Sequence, residues 1–292
     1  MSIFVNKNTK VICQGITGTQ ASFHVQRSLD YGTKIVGGIT PGKGGSMHLN
    51  LPVFDTVAEA VKETQATASV MYVPPQAVKK AVQEAVENEL DLVVTITDRV
   101  PLKDMLEIKA MLKGAKTKLI GPNTPGIITP EEARLGIFPE NIHKKGDIGV
   151  VSRSSTLTYE AVLEINRAGM GQTSVVGLGD DVLIGIDFVD VLTAFHADKK
   201  TKAIVMVGQL NGGFEEAAAE WYKSIPNKKP VIAFVAGNAV PFGHKMGYAG
   251  DILTKGNISV LDKKDILAAA GITVVNNVND IHTELAKLKC AL

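Results

Sequence analysis

The chain has few cysteines, almost no net charge and no long apolar run, and each shortage argues against a class of function. Of 292 residues only two are cysteines, Cys13 and Cys290. Cys13 stands in an apolar run and Cys290 lies close to Leu292. Neither has the spacing of a metal site or a disulfide framework, and sparse free thiols fit a reducing compartment. A formal net charge of +1 argues against an electrostatic role on nucleic acid or an anionic membrane. No apolar run reaches the ~18–20 residues needed to span a bilayer. The first seven residues lack signal-peptide and transit-peptide character, so the expected location is the cytoplasm. His24, His48, His143, His196 and His282 have no spacing that suggests a triad or metal ligands, and no metal site is expected. There is no internal repeat and no low-complexity segment.

What remains is an ordinary globular composition, 45% hydrophobic and 21% charged. A single core rarely grows past about 250 residues, so two domains are expected. Short β-rich runs at 10–14, 34–38, 68–73, 92–97 and 118–121 alternate with helical periodicity at 20–31, 56–63, 76–89 and 102–114. Continuous apolar strands separated by helices make a parallel sheet buried on both faces. A Pro/Gly-rich stretch follows, from Gly121-Pro122-Asn123 to Phe138-Pro139-Glu140, and reads as a connector. The pattern then restarts with strands at 147–152, 172–177, 203–208, 231–236 and 272–276. The predicted fold is α/β: a Rossmann-like domain over residues 1–126, a linker over 127–146, and a flavodoxin-like doubly wound domain over 147–292.

The first predicted strand runs into Gln14-Gly15-Ile16-Thr17-Gly18-Thr19-Gln20 and a helix. Glycines and threonines at such a turn bring backbone N–H groups and the helix dipole up to a phosphate. The second strand ends in Gly37-Gly38-Ile39-Thr40-Pro41-Gly42-Lys43-Gly44-Gly45, a glycine-rich loop with one cation at its tip. The third ends in Tyr72-Val73-Pro74-Pro75 and the fourth in Thr95-Ile96-Thr97-Asp98. All four features fall at the carboxyl ends of parallel strands, where open α/β sheets bind ligands. A nicotinamide dinucleotide needs an acidic residue after the second strand. Gly37-Gly38-Ile39-Thr40 stands there instead, so that reading is set aside.

These pieces occur in order with Tyr31-Gly32-Thr33-Lys34, Leu51-Pro52-Val53-Phe54, Pro125-Gly126, Val151-Ser152-Arg153-Ser154, Leu157-Thr158-Tyr159-Glu160-Ala161 and Lys245-Met246-Gly247-Tyr248-Ala249-Gly250. Over nearly the whole chain the set resembles the α subunit of succinyl-CoA synthetase. The resemblance implies a first domain that binds CoA, with Thr17, Gly18, Thr19 and Gln20 at its phosphates and Lys43, Ile96, Thr97 and Asp98 at the rest of it. The family usually has Glu where Asp98 stands, so the carboxylate is kept and shortened. Ligand positions carried over to the acid or phosphate are Asn123, Ser154, Ser155, Thr156 and Tyr159. Ser155 replaces a family Gly, Thr124 replaces a family Cys, and the run 177–185 also departs from the family pattern.

The sharpest departure is at the centre. The family's phosphohistidine position holds Tyr248, and the Glu that orients that histidine is matched by Gln209. A histidine presenting one nitrogen to phosphate needs an acceptor on the other, so the pair is lost together. A phenol ionises near pH ~10, and its phosphate ester is a far poorer phosphoryl donor than a phosphoramidate. His244, four residues earlier, is a surface histidine or a displaced carrier. Two readings follow. In the first, the chain is the α-like subunit of a carboxylate–CoA ligase that binds CoA and a small carboxylic acid without a histidine relay. Its partner would be an ATP-grasp β-like subunit carrying ATP or GTP with Mg, in a hetero-oligomer. In the second, it is a non-catalytic CoA- or acyl-CoA-binding subunit.

Overall fold

A computed structural model describes residues 3–237 and 259–289. The chain divides into two compact units, one spanning Phe4–Glu140 with Leu183–Ile186, the other Asn141–Val182 with the chain from Asp187 onward.

In the first unit the order is β1 (Val11–Gln14), α1 (Thr19–Asp30), β2 (Ile35–Ile39), β3 (Met47–His48), β4 (Leu51–Phe54), α2 (Val57–Thr64) and β5 (Ala68–Met71). Then come α3 (Val78–Glu87), β6 (Leu92–Thr95), α4 (Leu102–Leu112), β7 (Lys118–Ile120), β8 (Gly126–Thr129) and β9 (Ala133–Gly136). The sheet runs β3-β4-β2-β1-β5-β6-β7. All its pairings are parallel except β3 with β4. Without β3, the six parallel strands stand in chain order 3-2-1-4-5-6, the doubly wound dinucleotide-fold order, whose ligand crevice opens where the order reverses. That point lies between β1 and β5. The strands form because their residues are apolar on both faces: β1, β5 and β6 are buried throughout. One core cluster packs Ile12, Met71, Val82, Val93, Ile108 and Leu119 together.

The span 127–146, expected as a connector, carries the antiparallel hairpin of β8 and β9. Gly126 and Gly136, paired at its open end, have φ of 102° and 124°, which only glycine adopts without strain. Arg134 of β9 is buried in the first unit, donating from Nε to Phe138 O at 2.6 Å and from Nη1 to Ser28 Oγ at 3.0 Å.

The second unit holds β10 (Lys145–Ser152), α5 (Ser155–Arg167), β11 (Gln172–Gly177), α6 (Phe188–Ala197), β12 (Ala203–Gly208), α7 (Phe214–Ser224), β13 (Val231–Val235), α8 (Val260–Ala269), β14 (Thr273–Val275) and α9 (Ile281–Lys289). Within the unit five parallel strands run β14-β13-β12-β10-β11. In chain order this is 2-1-3-4-5 from the other end, the flavodoxin-like arrangement, with its switch point between β10 and β12. Two of its helices open on a reciprocal cap, Asp187 with Asp190 and Ser259 with Asp262, which satisfies otherwise orphaned N–H groups. No helix among the described residues is long and apolar enough to cross a membrane.

Candidate functional site

At the first switch point β1 ends in Gln14 and the chain turns at Gly15, whose N–H donates to Ile39 O at 2.8 Å. A Cβ on Gly15 would lie 2.7 Å from Tyr72 O, and one on Gly38 within 2.5 Å of the Ile16 side chain. The glycines are there because β1, β2 and β5 close on one another. Helix α1 then starts at Gly18, which offers no side chain to cap it. The N–H groups of the first turn therefore have no acceptor within the helix and sit at the positive end of its dipole. Above them Thr17 Oγ1 lies 3.2 Å from Thr40 Oγ1, and Lys43 Nζ donates to Thr17 Oγ1 at 3.1 Å. Two hydroxyls, an ammonium and an open helix start make a site for a phosphate-bearing anion.

Two cavities flank this point. One of about 370 Å³ is walled by Gln20, His24, Tyr72, Ile96, Thr97 and Asp98. The other, about 260 Å³, is walled by Gln14, Gly15, Thr40, Pro41, Val73 and Lys80. A larger cavity of about 770 Å³ lies at the amino ends of β10 and β11, beside Lys144, Asp147, Met170 and Lys202. It contains none of the expected site residues.

Thus Thr17, Gly18, Thr19 and Lys43 converge at the start of α1, and Gln20, Ile96, Thr97 and Asp98 share one cavity wall. Asn123 joins them in the first unit: its N–H donates to Thr97 O at 2.9 Å and its φ is 55°. Sequence reasoning placed Thr40 and Tyr72 in ligand-side loops without giving either a role, and it missed His24 as a wall residue. His24 was findable, because it lies one helical turn beyond Gln20. Tyr72 stacks on His24 with ring centroids 5.9 Å apart and donates to Gly136 O at 3.1 Å. Burial pushes the Tyr72 phenol far above its usual range. Burial, then the charges of Arg134 and Arg27, hold His24 below the ordinary imidazole range. Arg134 Nη2 lies 3.5 Å from His24 Nδ1. Since a guanidinium only donates, Nδ1 accepts and Nε2 carries the proton.

At the second switch point, β10 leads through Arg153 to α5. Ser154 caps that helix: its Oγ accepts the Leu157 N–H at 3.3 Å. Ser155 and Thr156 occupy the first turn, with Thr156 exposed and Tyr159 half-buried one turn on. Across the crevice, Gln209 follows β12. Its Nε2 donates to Arg153 O at 3.3 Å and its backbone N–H to Glu215 Oε1 at 2.9 Å. The carbonyl of Arg153 can accept only from the amide nitrogen, which turns Oε1 the other way. That oxygen is buried with no hydrogen-bond partner among the described residues. Glu215 is buried and its carboxyl is raised by burial, opposed by Lys263, the Gln209 N–H and Arg153. Lys263 Nζ donates to Glu215 Oε2 and Gly212 O at 2.6 Å each, and to Glu216 Oε2 at 3.1 Å. Tyr248 and His244 lie outside the described residues, as does the whole run 238–258. Among the described residues no group of three or more His, Cys, Asp and Glu side chains could hold a metal ion.

Residues 6–99 match the family model described as CoA binding domain, and residues 151–274 the one described as CoA-ligase. The two doubly wound units are those of a CoA-binding ligase of the α-subunit type. Over 285 residues the chain is 49% identical to the succinate–CoA ligase (ADP-forming) subunit alpha of Staphylococcus aureus strain Mu50, covering 98% of this chain and 94% of that one. It is equally similar to the subunit of the same name from Staphylococcus epidermidis. The chain belongs to the succinate–CoA ligase α-subunit family. Among solved structures it resembles an ATP citrate lyase from Methanothrix soehngenii, in complex with citrate and coenzyme A, with a TM-score of 0.89. Identity there is 23%, the match covers 99% of this chain, and this chain spans 51% of that one, so that likeness speaks for the fold alone.

Proposed function

We propose that this chain is the CoA-binding subunit of a nucleoside-triphosphate-dependent carboxylate–CoA ligase that works without a phosphohistidine, Tyr248 standing in that position. The observation that carries this reading is the convergence of Lys43, Thr17 and Thr40 on the uncapped start of α1. Thr17, Gly18, Thr19, Gln20 and Lys43 would receive the phosphates of CoA, and Ile96, Thr97 and Asp98 the adjoining part of the molecule. CoA supplies the thiol that becomes the thioester. Asn123, Ser154, Ser155, Thr156 and Tyr159 would hold the acid and its acyl phosphate, with helix α5 supplying N–H donors.

ATP or GTP with Mg would reside on an ATP-grasp β-like partner in a hetero-oligomer. There a carboxylate oxygen attacks the γ-phosphorus and the nucleoside diphosphate leaves. The thiolate then attacks the acyl carbon and phosphate departs. Gln209 supports a relay-free route, because its amide cannot serve a histidine as a carboxylate would.

The test is a γ-phosphorus-labelled ATP assay on the chain with its β-type partner, CoA and a panel of dicarboxylates. Acid-dependent thioester formation with no stable label on this chain is expected. Label mapped to Tyr248 or His244 would overturn the relay-free route. CoA binding without turnover under any acid would favour a non-catalytic subunit. As a sharpening step, Tyr248→His with Gln209→Glu should gain alkali-stable label, whereas Tyr248→His alone should gain less.

A further inference from the structure

The loop that presents Lys43 is held by a residue outside it. Gly42 and Gly44 flank the lysine, and their N–H groups both donate to one oxygen, Asp55 Oδ1, at 2.6 and 2.9 Å. Lys43 itself has a satisfied backbone: its N–H donates to Thr40 O at 3.0 Å and its carbonyl accepts from Ser46 Oγ at 2.6 Å. Only its side chain is left to choose a direction, and Nζ goes to Thr17. Asp55 stands just past the end of β4, which pairs with β2 through Gly38↔Val53 and Ile39↔Phe54, and its own N–H donates to Glu59 Oε2 at 3.1 Å. The carboxylate therefore sits on sheet and helix, not on the loop it grips.

The packing is close enough to dictate sequence. A Cβ on Gly44 would fall 2.5 Å from Asp55 Oδ2, so residue 44 must be glycine while Asp55 is in place. Gly42 and Gly45 have φ of 82° and 79°. A loop so rich in glycine loses much conformational freedom on ordering, and that cost would otherwise fall on ligand binding. A carboxylate near an anion site opposes the anion unless its charge is engaged; here two N–H donors engage it.

We infer that Asp55 is a positioning residue for Lys43: it pre-orders the 42–44 turn, so that the ammonium stands over the start of α1 before the anionic ligand arrives. This deepens the CoA reading of the site and rests on it.

The full-length chain is tested by calorimetry with CoA and by limited trypsin digestion without it, cleavage after Lys43 being followed by mass spectrometry. Lys43→Ala should weaken CoA by roughly tenfold, as befits one charged hydrogen bond. Asp55→Ala should do nearly the same, and the double variant should be no weaker than either single one, since both remove one interaction. Asp55→Asn keeps an acceptor and should recover most of the affinity. Gly44→Ala, which displaces the carboxylate, should behave like Asp55→Ala. In the free protein Asp55→Ala and Gly44→Ala should expose the 43–44 bond to trypsin severalfold faster, with the thermal midpoint little changed. If Lys43→Ala weakens CoA while Asp55→Ala binds like wild type, or if the two losses simply add, the positioning role is wrong and the site reading stands. If wild-type protein binds no CoA, the site reading fails and this inference fails with it.

Discussion

Helices α1 and α5 both begin at the switch point of a doubly wound sheet, yet they open differently. At α1 the cap is Gly18, which makes no side-chain cap to the first-turn N–H groups. At α5 the cap is Ser154, whose hydroxyl oxygen takes the Leu157 N–H. The first start leaves its donors for a ligand and supplies the cation and hydroxyls from a separate loop. The second is partly self-satisfied, and the polar groups beside it belong to a buried network through Gln209, Glu215 and Lys263. A helix start left wholly open and one that is partly capped can thus be told apart by where their hydrogen bonds go.

The largest effect should come from breaking the network behind the second start. Lys263→Met removes the ion-pair partner of buried Glu215, leaving only the charge of Arg153 to oppose its burial, and should cost about 3–5 kcal/mol, read from urea unfolding; adding Glu215→Gln should restore much of it. A matched pair of cap variants comes next. Ser154→Ala should lose about 1 kcal/mol. Gly18→Ser should gain a few tenths of a kcal/mol by capping α1, while weakening CoA about fivefold because the new hydroxyl competes for the ligand's donors. A Gly18→Ser protein that binds CoA as well as wild type would sink the contrast between the two helices.

The smallest effect concerns His24. Its folded-state pKa lies below the unfolded value of about 6.5. The unfolded chain therefore binds more protons in the window just below pH ~6.5, and stability falls as pH drops through it. His24→Gln should flatten that slope in thermal midpoints measured across the range.

Much of the frame was readable beforehand. β12 and β13 are continuous apolar runs that read as buried strands, and α1 follows the glycine turn that announces it. Strand ends were less legible: 68–73 and 92–97 read as strands, but the ladders stop at Met71 and Thr95, where the chain turns to line the crevice. β3 and β4 have no signature, being two residues and a proline-containing four. The hairpin of β8 and β9 was hidden by its own turn residues. In the site, Thr17, Gly18 and Lys43 are announced by their glycines. Asp55 is not, because only the pairing of β4 with β2 brings it under a turn more than ten residues earlier in the chain. The burial of Gln209 Oε1 likewise depends on packing that no local pattern records.

The pairing of Met47 and His48 with Pro52 and Leu51 matters beyond ligand capture. A parallel sheet that ended at β4 would show a row of unpaired backbone groups to any passing chain. Here that border is a two-residue antiparallel strand lying over a proline, too short and too poor in donors to template a further strand. The same segment that carries Lys43 therefore also guards the edge of the sheet, so variants that loosen the 42–44 turn should be watched for self-association at high concentration as well as for weakened binding.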